Sequence, residues 1–168
     1  MLTLYGDARK FSDMDATDRK ICALLQANAR TSSTEVAEAV GLSVSSANER
    51  IRRLAAQGVV QGWHAVLDRQ AAGAALCAHV WLDMAFEGEA EACEVLVARP
   101  EVLELHHVVG AHSYLMKLRL PDTRALQSFL NDVVKPLRAV QRTESVIALS
   151  TLKETLTVPI SGKSDSGR

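Results

Sequence analysis

Two short runs of this chain carry side chains arranged for chemistry. The first reads Ser43-Val44-Ser45-Ser46-Ala47-Asn48-Glu49-Arg50-Ile51-Arg52-Arg53-Leu54. Serine and asparagine offer short hydrogen-bonding groups that suit base edges, and arginine offers a planar cation that suits phosphate. The second run holds His106, His107 and His112, followed by Ser113 and Tyr114. Neutral imidazole is a common metal ligand. Alternation along a strand puts His106 and His107 on opposite faces, so a shared ion is disfavoured and neither metal nor cofactor is expected. His112 and Ser113 suit hydrogen bonding to a carboxylate or another polar ligand, or packing between subunits. No catalytic residue is assigned. Gly162-Lys163-Ser164 has the ring of a phosphate loop, but Thr157 stands five positions before Gly162 and no helix follows.

The elements that must position these groups follow from periodicity and caps. Asp15 with Asp18 forms an acidic start to a helix over 15–28, whose Ile21, Leu24 and Leu25 fall on one face. Ser32 with Glu35 is a second capping box, opening a helix lined by Val36, Ala37 and Val40. Gly41 supplies a left-handed turn, Leu42 plugs the corner, and Ser43 caps a third helix with Val44, Ala47, Ile51 and Leu54 inward. Ser45, Ser46, Asn48, Glu49, Arg52 and Arg53 are left more or less outward. Two short helices around such a turn make a helix-turn-helix, and with residues 14–62 they form a first domain. A strand and linker are expected over 63–74, starting at Trp63.

Beyond residue 74 the period changes. Leu76, Ala78, Val80, Leu82 and Met84 alternate with Cys77, His79, Trp81 and Asp83, as in a strand. A helix over 89–99, a strand over 102–109, a turn over 110–113, a strand from Tyr114 to Leu120, a helix ended by Pro136 and a strand over 143–153 follow. The order β-α-β-β-α-β over 75–160 is a ferredoxin-like unit with helices on one sheet face, so the fold class is α+β. Leu103 and Leu105 are expected on one face of their strand, with Val102 and Val108 on the other. A sheet apolar on both faces predicts a homodimer packed sheet to sheet. Residues 1–13 read as a leader without period, and 161–168 as a disordered tail.

Composition bounds the function. The chain has 168 residues, a net charge of −1 and 48% hydrophobic residues, which excludes a protein that coats nucleic acid by bulk charge. Up to Arg69 there are nine basic against eight acidic residues, and ten against twelve beyond it. Nothing is apolar enough to span a bilayer, and no secretion signal opens the chain. Cys22, Cys77 and Cys93 read as reduced core thiols of a cytoplasmic protein.

The ordered set of matches resembles the leucine-responsive regulatory protein/AsnC family of transcription regulators. In the first domain it comprises Met14-Asp15, Asp18, Ile21, Leu24-Leu25-Gln26, Asn28-Ala29-Arg30, Glu35-Val36-Ala37, Gly41-Leu42-Ser43-Val44-Ser45, Arg50-Ile51-Arg52-Arg53-Leu54 and Gly58-Val59-Val60. In the second it comprises Pro100-Glu101-Val102, Val109-Gly110, Tyr114-Leu115-Met116-Lys117, Phe129 and Arg142-Thr143-Glu144-Ser145. The resemblance implies a winged-type helix-turn-helix that binds double-stranded DNA, joined by a hinge strand to a domain that dimerises and often forms octamers. It implies a small-molecule effector, commonly an amino acid, bound between dimers. Carried over by position, Ser43, Ser45, Ser46, Asn48, Glu49, Arg50, Arg52 and Arg53 form the DNA-binding stretch, although Arg50 can equally brace the helix through an internal ion pair. Gly110, Ala111, His112, Ser113 and Tyr114 occupy the effector turn, where the family shows acidic residues at the second and fourth positions. Here both are neutral, so the turn lacks the carboxylate that would meet an amino acid's ammonium group. Related proteins of this architecture act as sirohaem decarboxylases, which makes an enzyme the alternative, with His106, His107, His112 and Arg119 its only candidate residues.

Overall fold

The computed structural model describes residues 14–160, so the expected leader, tail and Gly162-Lys163-Ser164 motif lie outside the described residues. The described chain divides into two compact units, residues 14–65 with 155–160, and Val66–Glu154. The expected boundary at residue 63 is close to this division. The assignment of 155–160 to the second unit is corrected, because that segment packs on the first.

In the first unit α1 (Ala16–Ala27), α2 (Ser33–Val40) and α3 (Val44–Ala56) form where their caps predict. Asp15, Ser32 and Ser43 each accept from an amide three residues on, and Glu35 returns a bond to Ser32. Gly41 closes α2 at φ 69°, a conformation costly for any residue with a Cβ. Ile21, Val36, Ala47 and Leu54 are at most 1% exposed. Each large apolar side chain among them contributes roughly 1.5–3 kcal/mol by leaving water. Val44, expected inward, is instead 43% exposed. As the first residue of α3 it precedes the turn that carries Ala47, Ile51 and Leu54 onto α1 and α2. The segment 155–160 adds Ile160 to this core, and Gln26 pairs through its side-chain amide with both the N–H (2.9 Å) and the C=O (3.0 Å) of Val158.

Residues 61–68 form no strand, contrary to the expectation for this hinge. A strand needs a ladder partner, and none lies beside it among the described residues. Asp68 then accepts from the Ala71 amide at 2.7 Å and starts a tight turn.

The second unit has β1 (Leu76–Met84), α4 (Glu89–Val97), β2 (Val102–His107), β3 (Tyr114–Leu120), α5 (Thr123–Phe129) with a π-helical turn (Leu130–Val134), and β4 (Val140–Ile147). The strands lie in the order β2-β3-β1-β4, all neighbours antiparallel. This is the expected β-α-β-β-α-β order. The last strand starts earlier and stops earlier than expected. Ile147 pairs with Ala78, Ala148 N–H still donates to Cys77 O at 3.0 Å, and β1 begins at Leu76, so no ladder remains for 150–153.

Ala78, Val80, Leu82, Tyr114, Met116 and Leu118 pack against Leu96, Leu126, Phe129 and Val134 on the helix-covered face. The expected division of β2 between faces is corrected. A register shift between Val102 and Glu104 inserts one residue, so Val102 and Leu105 both pack on this core and Leu103 is 49% exposed. A bulge reverses the alternation on which the assignment relied. The opposite sheet face carries Trp81, Leu115, Lys117 and Arg119, and Glu154 closes over the last two. No helix among the described residues is long and apolar enough to cross a membrane.

Candidate nucleic-acid interface and small-molecule cleft

The cap on α3 orders its first turn. Ser43 Oγ accepts from the Ser46 amide at 3.2 Å and lies 2.9 Å from Ser46 Oγ and 3.0 Å from Ser45 Oγ. Ser45, Ser46, Glu49 and Arg52 are exposed on the outer surface of the helix. Asn48 is half-buried and its Oδ1 accepts from Ser33 Oγ, tying α3 to α2.

Arg50 and Arg53 face another way. Arg50 Nη1 donates to Asp15 at 2.7 Å and to Asp18 at 2.8 Å, while Arg53 Nη2 reaches both oxygens of Asp18. Asp18 is 2% exposed, and a buried carboxylate requires this pairing. The Asp18 amide, and then the Arg50 guanidinium, hold the Asp15 carboxyl below its usual range. Of the two roles open to Arg50, the geometry supplies the internal brace, and it places Arg53 in the same brace. Asp15 and Asp18 carried a capping signal in the sequence; an internal ion pair was open to Arg50, but nothing named these carboxylates as its partners or gave Arg53 the same role.

In the second unit, the turn Gly110 to Tyr114 borders a cleft of about 510 Å³ lined by Trp81, Val108, Val109, Gly110, Ala111 and His112. The His112 ring stacks on Trp81 with centroids 5.3 Å apart. Its Nδ1 is 3.1 Å from Asp83 Oδ1 and its Nε2 is 4.0 Å from Glu144 Oε2. Ser113 is used structurally, since its amide donates to Leu82 O at 3.1 Å and its carbonyl accepts from the Val108 amide at 2.9 Å. Tyr114 turns into the helix-covered core, where burial, and then its bonds to Cys93 and Glu89, push its hydroxyl well above the usual range. Gly110, Ala111 and His112 therefore line the cleft, whereas Tyr114 belongs to the core. Trp81, Asp83 and Glu144 were not foreseen, although the β1 alternation already placed Trp81 and Asp83 on one face.

The other candidate groups do not converge. His107 stacks on Tyr114 at 4.8 Å, His106 lies 3.2 Å from Glu104, and Arg119 is buried against Glu154. Of His106, His107, His112 and Arg119, only His112 lines this cleft. Among the described residues no group of three or more His, Cys, Asp or Glu side chains is placed to hold a metal ion.

Comparison with known proteins bears on both units. Residues 14–61 match a family described as winged helix-turn-helix DNA-binding, and residues 90–158 match one described as the Lrp/AsnC ligand binding domain. The HTH-type transcriptional regulator FL11 of Pyrococcus horikoshii is 30% identical over 147 residues, covering 88% of this chain and 97% of that protein. The leucine-responsive regulatory protein of Escherichia coli is 33% identical over 152 residues, covering 87% and 91%. Among solved structures, a transcriptional regulator of Neisseria meningitidis in complex with L-Met superposes with a TM-score of 0.81 at 28% identity, covering 87% of this chain and 96% of that one.

Proposed function

Since the chain belongs to the Lrp/AsnC family of transcription regulators, we propose that it binds double-stranded DNA sequence-specifically in the cytoplasm, as a homodimer or a higher oligomer such as an octamer. We further assign modulation of that binding to a small molecule, an amino acid in the first instance, held at the Trp81–His112 cleft. The role is recognition rather than catalysis.

The observation that carries the DNA reading is the division of labour on α3. Arg50 and Arg53 are spent on Asp15 and Asp18, which fixes the helix and leaves Ser45, Ser46, Glu49 and Arg52 facing outward. A rigid helix presenting short polar groups near its N-terminus suits the major groove. Few cations remain for phosphates, since Arg19 donates to Met14 O and Lys20 to Ala39 O. One copy would hold DNA weakly, and two copies on half-sites about 34 Å apart, or a multiple of it, gain by avidity.

The effector reading rests on the cleft and on the carboxylates beside its His112. Asp83 and Glu144 set two carboxylates around His112, in place of the acidic residues the turn lacks. A ligand ammonium there would find both an anionic partner and the face of Trp81. The Neisseria relative with bound L-Met supports an amino acid in this role.

Gel shifts with duplex from the promoter region of its own gene, against random duplex as competitor, test the first reading. Preference for the promoter fragment is expected, and equal binding to both would remove the sequence-specific claim. Thermal-shift screening against the amino acids tests the second, because ligand at 100 times Kd stabilises by about 2.7 kcal/mol per site. Sedimentation velocity distinguishes a monomer, which would contradict the proposed assembly, from a dimer or octamer.

A further inference from the structure

We propose that Glu49 selects cytosine in each half-site, so that a carboxylate, rather than an arginine, supplies base discrimination on α3. This rests on the DNA-binding reading above. Arg50 and Arg53 are held by Asp15 and Asp18, the Asn48 carbonyl oxygen is taken by Ser33, and Ser45 and Ser46 bond to Ser43. Glu49 and Arg52 are exposed and, among the described residues, their side chains make no hydrogen bond or ion pair. They stand three residues apart and so share one side of the helix.

Serine hydroxyls donate or accept at any base edge and discriminate little. Arg52 lies farther from the helix N-terminus, where a cation suits phosphate. Glu49 sits in the second turn of α3, within the half of a recognition helix that meets base edges. A carboxylate entering a groove walled by phosphates weakens binding unless it finds a donor. The major groove offers two, the N4 amino group of cytosine and the N6 amino group of adenine. On adenine the neighbouring N7 is an acceptor that repels the second carboxylate oxygen. On cytosine the amino group has a C–H beside it instead. Guanine and thymine present acceptor oxygens at the matching positions and are rejected. The carboxylate therefore favours C·G at the position it touches.

Selection from a randomised duplex pool by the full-length protein tests this with Glu49→Ala and Glu49→Gln. The wild type should enrich a motif with cytosine at one position of each half-site. Glu49→Ala should lose the preference at that position alone, and Glu49→Gln should move it to adenine, whose N6 and N7 pair with an amide. On the selected duplex, replacing that C·G pair by T·A should weaken the wild type about tenfold and Glu49→Ala by less than about twofold. A motif unchanged in both variants overturns the assignment while leaving DNA binding intact. Uniformly tighter binding by Glu49→Ala, with no positional change, also overturns it and marks the carboxylate as a general electrostatic brake. A wild type that enriches no motif overturns both this inference and the sequence-specific reading beneath it. Because Glu49 is exposed, both variants should unfold with the wild-type midpoint.

Discussion

Arg53 donates through Nη2 to both carboxylate oxygens of Asp18, at 3.0 Å and 2.8 Å, across 35 residues of sequence. The pair is lopsided, since the Asp18 side chain is 3% exposed and that of Arg53 is 48% exposed. Removing the buried member strands two arginines and empties a buried polar site, whereas removing the exposed member leaves Asp18 with Arg50. Asp18→Ala should cost the DNA-binding unit about 3 kcal/mol and Arg53→Ala about 1 kcal/mol. Urea unfolding of the two variants measures the difference, and equal losses would contradict the geometry.

Arg52 is the α3 cation that no carboxylate claims among the described residues. Arg52→Ala should leave the unfolding midpoint unchanged and reduce the slope of log K against log salt by about 0.9 per protomer. Binding isotherms at several salt concentrations give that slope. A wild-type slope in the variant would place Arg52 away from the phosphates.

The cleft makes its own prediction. Asp83→Asn removes the charge nearest His112, so the apparent Kd of a ligand bearing an ammonium group should rise at least about tenfold, since charge-assisted bonds are the strong ones. Thermal shifts read the change. Unaltered affinity in Asp83→Asn and Glu144→Gln alike would move the ligand elsewhere.

Lys117 sits 2.8 Å from Glu104 and 2.7 Å from Glu154, and this ladder sets a pH window for the regulatory unit. Lys117 holds Glu104 below its ordinary value of 4.5. Burial alone would raise Glu154, but Lys117 and Arg119 outweigh it and bring it below 4.5 as well. Carboxyls lowered by folding stabilise above their unfolded pKa and stop doing so as pH falls through the folded value. Burial alone would lower Lys117, yet its two carboxylates raise it above 10.5. That contribution is complete below 10.5 and is lost as pH rises through the folded value. Unfolding midpoints should hold between about pH 5 and pH 10 and fall on both sides, with the acid limb shallower in Glu154→Gln. An acid limb identical to wild type would mean the ladder adds nothing.

The parts of this fold that were readable in advance are those set by neighbours in sequence. Ser32 with Glu35, Gly41 and Ser43 each act within four residues, and their caps stand where expected. Alternation located β1 and β3 because every second residue of each meets one core. The missed features depend on distant chain. The bulge beside Leu103 defeats a strict period of two, residues 61–68 have no ladder partner among the described residues, and the final strand ends within two residues of the start of β1. In the sites, the type of each residue was informative and its commitment was not. Nothing local to Arg53 reveals Asp18, and nothing local to His112 reveals Asp83.

The return of residues 155–160 to the first unit makes that unit a discontinuous object. A fragment stopping at residue 65 would lack both the Ile160 plug and the Val158 backbone that satisfies the Gln26 amide. Conversely, a protease that nicks the exposed stretch 61–68 leaves the N-terminal piece held by Ile160 and the exposed Gln26–Val158 pair alone, too little to offset the cost of association, so the two fragments should separate on native sizing.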